Sequence, residues 1–335
     1  MIAASLQYIR SRPVCIWISF AEQTKREAGK MIFPKVIRLR RRALTAALVA
    51  IGGIFLMGLA ALLHTPAAVS SSASGGEAPV ELPILMYHHV LKYGQQLGAY
   101  TITPTEFEKD LQYIQSHGYT TIDTDDLIGY VYHGKSLPEK PIMITFDDGY
   151  YSNYFYAYPL LKKYNMKAVI SIIGKYTDLY SERGDLHVNY SHLNWDQLLS
   201  MENTGTADIQ NHTYDLHTTD QGRKGCKKNW GEGAEEYKAM LRADVGKLSD
   251  RIREMLGKEA TFFAYPFGFY CEETDEVLKE MGFLGTFSSE EGINYLTRDP
   301  DQLFHLKRNN RPHDLTSEDF FERVGKHRKK DSKSA

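Results

Sequence analysis

Short apolar runs alternate with stretches of helical period between residues 82 and 325. The apolar runs predict buried strands, the clearest being LPILMYHHV (82–90), PIMITFDDGY (141–150), KAVISIIG (167–174) and TADIQNH (206–212). Amphipathic stretches at 103–119 and 235–257 predict helices. This alternation is typical of an α/β fold with a mainly parallel sheet, open or closed into a barrel.

Polar residues follow the predicted strands at the points where the strands end. Asp147 and Asp148 follow the run ITF, His212 follows ADIQN, and His88 follows ILMY. Pro266 follows FFAY in the same way. Because sites in α/β sheets and barrels are built at the carboxyl ends of the strands, we expect these residues to share one site.

Residues 43–63 form a run of 21 residues without a charge, long enough at about 1.5 Å per residue to span a bilayer core. The basic run RLRRR (38–42) precedes it, so the positive-inside rule places residues 1–42 in the cytoplasm and the body of the protein outside. We therefore predict a single-pass transmembrane helix that acts as a signal-anchor in the cell membrane. The alternative is secretion after signal cleavage near residues 68–73.

The flanking regions complete the predicted domain organisation. Met31 begins a complete signal-anchor sequence, so residues 1–30 are interpreted as an extension from an upstream start codon. Residues 64–81, rich in Ser, Ala and Gly, predict a flexible stalk before the domain at 82–325. Residues 326–335 are interpreted as a basic, solvated tail.

The net charge of −2 is unevenly distributed over the 335 residues. Residues 1–42 contain ten Lys or Arg and two acids, a charge of +8, so the remaining residues carry −10. A body this acidic argues against nucleic acid as a partner. We expect a monomer whose partners are the membrane and a substrate.

The segment NHTYDLH offers two histidines, His212 and His217, five residues apart. On a regular helix they would lie ~140° apart, but where a strand runs into a turn they can converge. Two imidazoles with one carboxylate leave a coordination position open for water, as catalytic zinc sites do. We expect one divalent metal, Zn²⁺ first, with Co²⁺, Ni²⁺ or Fe²⁺ as alternatives.

TFDDGY, NHTYDLH and FFAYPFGFY resemble successive motifs of the polysaccharide deacetylase domain (NodB-homology, carbohydrate esterase family 4), and the resemblance covers residues 82–325. It implies a distorted (β/α) barrel and the removal of N-acetyl groups from a glycan by hydrolysis. It also implies that Asp147 is the catalytic base and that Asp148, His212 and His217 hold the metal.

Three departures from the commoner family pattern resemble the circularly permuted branch that acts on poly-β-1,6-N-acetylglucosamine. The motif histidines are five rather than four residues apart, Ala264 and Tyr265 stand where an Arg is common, and the usual C-terminal acid histidine is missing. In that branch a Tyr-His motif near the N-terminus supplies the acid. The resemblance therefore implies His88 as the acid, with His305 as the second candidate and His89 as a neighbour.

The remaining roles follow from the chemistry of amide hydrolysis. The backbone N–H of Tyr265, beside Pro266, is expected to stabilise the oxyanion together with the metal. A positive side chain usually tunes the base in this family, and Arg308 is the candidate. The aromatic segment at 150–159 and Trp195-Asp196 are interpreted first as core and helix start, with sugar contacts as the alternative.

Cys226 and Cys271 are the cysteines of the predicted exterior domain, one after the histidine segment and one after AYPFGFY. Both positions point to the rim of the site, and a disulfide persists outside the cell, so we expect a bridge, with two free thiols as the alternative.

Two other functions remain open on the sequence alone. An esterase that removes O-acetyl groups would use the same residues, and an inactive glycan-binding domain would share the scaffold. The complete set of base, acid and metal ligands argues against the inactive domain. Peptidoglycan, poly-N-acetylglucosamine and chitin-like oligomers all remain candidate substrates.

Overall fold

The structure, a computed structural model, describes residues 78–94 and 96–331. The predicted cytoplasmic region, the apolar segment at 43–63 and most of the stalk lie outside these residues. Within the described ranges, no helix has both the length and the apolar character that crossing a bilayer requires.

The strands in the described residues are β1 (Val80–Tyr87), β2 (His89–Val90), β3 (Thr101–Ile102), β4 (Thr120–Thr121), β5 (Pro141–Phe146), β6 (Ala168–Ile172), β7 (Ala207–Asn211), β8 (Phe262–Ala264), β9 (Gly285–Phe287), β10 (Ile293–Leu296) and β11 (Asn309–Asn310). The helices there are α1 (Pro104–Ser116), α2 (Thr124–His133), α3 (Tyr158–Tyr164), α4 (Gly174–Arg183), α5 (Trp195–Asn203), α6 (Ala234–Leu256), α7 (Glu272–Glu280) and α8 (Ser317–Asp331).

The main sheet has the order β10-β1-β5-β6-β7-β8-β9, parallel except where β10 pairs with β1. The segment from Leu306 to Asn310 joins its two sides. Leu306 bridges to Phe287 at the end of β9, and β11 pairs in parallel with β1 at Leu85 and Met86. The sheet is therefore curled toward a barrel, and the α/β fold expected from the sequence is confirmed.

The central strands are buried on both faces because helices cover the outside and side chains fill the inside. In β5, Ile144 packs in the outer apolar cluster under the helices, whereas its neighbour Met143 packs in the inner cluster. This alternation with a period of two is ordinary strand geometry. It explains why the strands appear in the sequence as continuous apolar runs.

Helix starts agree closely with the sequence expectation. Thr103 caps α1 in a reciprocal box with Glu106, and Asn194 caps α5 with Gln197 in the same way. Trp195 is buried at the start of α5, so the interpretation of this residue as a helix start is confirmed.

The C-terminal helix differs from the predicted boundary at residue 325. α8 continues through that position to Asp331, and two residues of this last part, His327 and Arg328, contact the body of the protein. His327 lies 3.4 Å from a carboxylate oxygen of Glu291, and the Arg328 guanidinium donates to Glu81. Pairing with these acids is a physical reason for the helix to extend past residue 325.

Candidate active site

The two adjacent acids lie at the carboxyl end of β5. Met143, Thr145 and Asp147 occupy alternate positions, so the Asp147 side chain continues the inward-facing row of the strand. Asp148 and Gly149 then turn the chain with φ values of 70° and 68°. A Cβ at Gly149 would lie 2.9 Å from Ile172 Cγ2, so this turn requires glycine on both conformational and steric grounds.

Asp148, His212 and His217 converge in the cleft at this end of the sheet. Asp148 Oδ1 lies 3.5 Å from His212 Nε2 and 3.3 Å from His217 Nε2. One potential ligand atom from each residue lies within 4.8 Å of the other two. The structure therefore brings together the three residues for which the sequence predicted a metal site.

The local backbone explains how two histidines five residues apart can meet. His212 directly follows β7, and Thr213 has a left-handed φ of 71°. The Asp244 carboxylate of α6 then accepts hydrogen bonds from the N–H groups of Tyr214 and Asp215, which holds the loop against that helix. The segment is thus a turn held by hydrogen bonds rather than a helix. A helix would have directed His212 and His217 to different sides.

The donor set fits a divalent metal. The His212 Nδ1–H donates to the Ala264 carbonyl at 2.7 Å, which leaves the Nε2 lone pair directed to the cleft. Asp148 Oδ1 is buried without a hydrogen-bond partner among the described residues. Burial lowers the pKa of His217 to about 4, with the nearby His212 adding to the shift, so its imidazole is neutral near pH 7 and able to ligate.

Asp147 is held by a buried guanidinium. The Arg308 Nη1 and Nη2 groups donate to the two carboxylate oxygens at 2.7 and 2.8 Å, and Arg308 is only 1% exposed. Burial alone would raise the pKa of Asp147, but the charge and hydrogen bonds of Arg308, together with His212 and His88, outweigh it and hold the pKa below its ordinary value. Arg308 reaches this position because it lies in the segment that joins the two sides of the sheet.

His88 lies on the other side of Asp147. Its Nε2 is 4.0 Å from Asp147 Oδ2, and Asn153 donates to the His88 carbonyl at 2.8 Å. Burial lowers the pKa of the His88 imidazole, against the opposing influence of the two aspartates. Among the described residues, its Nδ1 has no hydrogen-bond partner.

The second candidate acid, His305, is not among the residues that line the cleft. Its Nε2 lies 2.6 Å from Asp275 Oδ2, and its ring stacks on Tyr270 with centroids 4.4 Å apart. His89 does line the cleft, where its Nδ1 lies 2.7 Å from Ser152 Oγ and its ring stacks on Tyr150. Of the three histidines, His88 is therefore the one placed beside Asp147.

The expected oxyanion donor differs in the structure. The Tyr265 N–H donates to the Phe287 carbonyl at 3.2 Å, because this residue continues the pairing of β8 with β9. The assignment of that N–H to an oxyanion is therefore not supported. Pro266 is buried in the next turn, and Phe267 after it has a left-handed φ of 57° and lines the cleft. The Phe267 N–H has no acceptor among the residues that the structure describes.

The structure also differs from the expected disulfide, since Cys226 and Cys271 are free thiols. The Cys226 thiol donates to the Phe269 carbonyl at 3.2 Å, whereas the Cys271 sulfur lies 3.2 Å from Thr274 Oγ1 at the start of α7. Each sulfur is thus engaged by a local polar partner.

All of these groups open into one cleft of about 520 Å³ at the carboxyl end of the sheet. Its walls include both aspartates, the histidine pair, His88 and Arg308, with Tyr100, Phe267 and Asn310 toward the rim. A cleft of this size with several convergent polar groups is characteristic of a ligand site.

Comparisons with known proteins agree with this geometry. Residues 134–285 match the family model described as polysaccharide deacetylase. The chain is 34% identical over 216 residues to the Bacillus subtilis protein named "Putative polysaccharide deacetylase YxkH". The matched region covers 64% of this chain and 67% of the relative. The chain belongs to the polysaccharide deacetylase family. The enzyme class expected from the sequence, a polysaccharide N-deacetylase, is thereby confirmed.

Two further relatives of this deacetylase belong to the branch that the sequence pointed to. The chain is 26% identical over 240 residues to the poly-β-1,6-N-acetyl-D-glucosamine N-deacetylase of Staphylococcus epidermidis, covering 72% of this chain and 76% of the relative. The solved structure of IcaB from Ammonifex degensii has a TM-score of 0.59 and 26% identity, covering 75% of this chain and 97% of that structure.

Proposed function

We propose that this deacetylase removes N-acetyl groups from a β-1,6-linked N-acetylglucosamine polymer with the help of one divalent metal. The observation that carries the proposal is the arrangement around Asp147. Arg308 holds this carboxylate on one side, His88 lies on the other, and the Asp148–His212–His217 triad begins at the next residue. The names of the staphylococcal relatives support the choice of polymer.

Asp148, His212 and His217 would hold the metal, which when bound polarises the acetyl carbonyl and lowers the pKa of water. Asp147 accepts the proton of the attacking water, and Arg308 keeps its carboxylate ionised for this step. The Phe267 N–H stabilises the negative charge that develops on the acetyl oxygen when water adds to the carbonyl carbon. His88 in its protonated form supplies the proton that the departing amine needs, and the lowered pKa of its imidazole makes it the stronger acid.

The proposed assay uses the full-length protein in detergent and a β-1,6-linked N-acetylglucosamine oligomer. We expect equal amounts of acetate and new free amine from the wild type, and a loss of at least ~10³-fold in Asp147→Asn, since the variant has no base. Asp250→Asn, on the exposed side of α6, is the matched control and should change little. Peptidoglycan and chitin oligomers, assayed in parallel, test the choice of polymer.

Two outcomes would contradict this function. Acetate release from O-acetylated glycans alone would make the protein an esterase. Glycan binding without any release of acetate would make it a binding module.

We also propose that residues 43–63 anchor the deacetylase in the cell membrane with the catalytic domain outside. The support comes from the sequence, in which the uncharged run directly follows RLRRR. Both segments lie outside the residues that the structure describes. The protein should fractionate with membranes, and protease added from outside should reach residues 75–335. Mature protein in the medium, beginning near residues 69–74, would establish secretion instead.

A further inference from the structure

A second cavity of about 330 Å³ adjoins the cleft and shares Asp148 and His217 with it. Its other walls are mainly aromatic and include Tyr176, Tyr180 and Tyr190. None of the roles proposed for the hydrolysis of an acetamide uses these three tyrosines. The cavity therefore adjoins the triad, but its aromatic walls have no role in the proposed reaction.

His192 is a buried polar residue in the wall of this cavity, where purely apolar packing would place a hydrophobic side chain. It is 7% exposed, and neither of its ring nitrogens has a hydrogen-bond partner among the described residues. Its ring centroid lies 4.5 Å from that of Tyr176, 4.8 Å from that of Tyr150 and 5.6 Å from that of Tyr180. A buried imidazole normally has a hydrogen-bond partner, and the described residues supply none for either ring nitrogen of His192.

The backbone holds His192 firmly beside the triad. His192 and Tyr150 form an antiparallel bridge, and the Leu193 N–H donates to the Gly149 carbonyl at 2.8 Å. The Tyr180 hydroxyl donates to the Tyr190 carbonyl at 3.1 Å, which ties α4 to the same loop. The tyrosines at the mouth are less enclosed, since Tyr176 is 36% and Tyr190 51% exposed. The cavity is thus bounded by the buried His192 on one side and opens to solvent between exposed tyrosines on the other.

We propose that this cavity is a subsite for the sugar unit adjacent to the one that is deacetylated. A pyranose ring has an apolar C–H face that packs on aromatic rings, and its hydroxyl and acetamide groups can pair with the imidazole. Burial lowers the pKa of His192 to about 4, so the ring is neutral near pH 7 and offers one donor and one acceptor. The proposal rests on the proposed function, because it assumes a chain of sugars as substrate.

The subsite predicts that the enzyme favours an oligomer over a small substrate. The experiment compares kcat/KM on a β-1,6-linked N-acetylglucosamine pentamer with kcat/KM on 4-nitrophenyl acetate, which cannot reach a second subsite. Tyr176→Ala should lower the ratio of the two about tenfold, mainly through KM on the pentamer. Tyr176→Phe keeps the ring and should stay within about threefold of wild type. His192→Phe, which keeps the bulk but loses both nitrogens, should lower the ratio as Tyr176→Ala does.

Tyr132→Ala, an exposed tyrosine on α2, is the control and should leave the ratio unchanged. Equal losses on both substrates in Tyr176→Ala and His192→Phe would show a structural role and overturn the subsite, as would an unchanged ratio. If His192→Phe does not fold, the Tyr176 pair decides alone. Wild-type enzyme that fails on the pentamer would instead refute the proposed function, and the subsite with it.

Discussion

His305–Asp275 and His88–Asp147 are two of the histidine–carboxylate pairs near the carboxyl end of the sheet, and the difference between them is instructive for finding catalytic groups. His305 and Asp275 form the tighter pair, at 2.6 Å, whereas His88 and Asp147 are 4.0 Å apart. Judged by distance alone, the first would be the better dyad. The second, however, is the pair next to the Asp148 triad and inside the cleft.

The surroundings of the two carboxylates explain the difference. Asp275, on α7, accepts a hydrogen bond from the Tyr265 hydroxyl and pairs with His305, so it links the turn after β8 to α7 and to the segment that follows β10. Asp147 is paired with Arg308 and leaves His88 without a bond of normal length. A histidine that must give a proton to the substrate is better left without a tight protein partner. The comparison therefore favours the proposal that the His88 pair takes part in catalysis and that the His305 pair supports the structure.

The largest expected contrast is between the two carboxylates. Asp147→Asn should lower kcat on an N-acetyl glycan by about 10⁴-fold, because it removes the base, whereas Asp275→Asn should lower it by less than about tenfold. Steady-state acetate release measures both. Similar losses in the two variants would remove the distinction between the pairs.

The histidines provide the next contrast. His88→Ala should lower kcat by about 10²–10³-fold on the N-acetyl glycan and by less on an activated acetate ester, whose leaving group needs no proton. Metal content should not change, because His88 is not a proposed ligand. His305→Ala should cost much less on both substrates. If the effects are reversed, the acid must be sought in the C-terminal segment.

Arg308→Lys sharpens the account of the base. The charge of Arg308 lowers the pKa of Asp147, so the carboxylate stays ionised as the pH falls. Loss of the two-point contact should raise that pKa and move the acid limb of the kcat/KM profile to higher pH. Arg253→Lys, on the exposed face of α6, is the control. If the acid limb does not move, Arg308 does not control the ionisation of Asp147.

The smallest effect concerns stability. Asp275→Asn weakens the bonds from Tyr265 and His305, and we expect the free energy of unfolding to fall by about 1–3 kcal/mol. Thermal unfolding should show the loss as a lower Tm. Unchanged Tm in Asp275→Asn would mean that this pair does not support the β8 turn.

Much of the site could be predicted from the sequence because it lies at strand ends. Asp147, Asp148 and His212 follow apolar runs that form β5 and β7, and parallel strands bring their carboxyl ends to one rim. Arg308 was a candidate from the family pattern. The contact that places it on Asp147 depends on the segment that joins β9 to β1, which has only two residues of strand and no clear pattern.

The parts that the sequence did not predict depend on local backbone pairing. The Tyr265 N–H is used by β9, and no pattern in AYPFG shows that this pairing continues one residue past Ala264. His192 lies 20 residues before His212 in a loop without a motif, and only its bridge to Tyr150 brings it to the triad. Such contacts join segments far apart in the chain, so spacing carries no signal for them.

Metal stoichiometry tests the central claim, that the site is built around Asp148, His212 and His217, most directly. Elemental analysis of the purified full-length protein should find about one divalent metal per chain. The His212→Ala/His217→Ala double variant should lose both the metal and the deacetylase activity, while His305→Ala keeps the metal. Stoichiometric metal in a folded double variant would contradict the account.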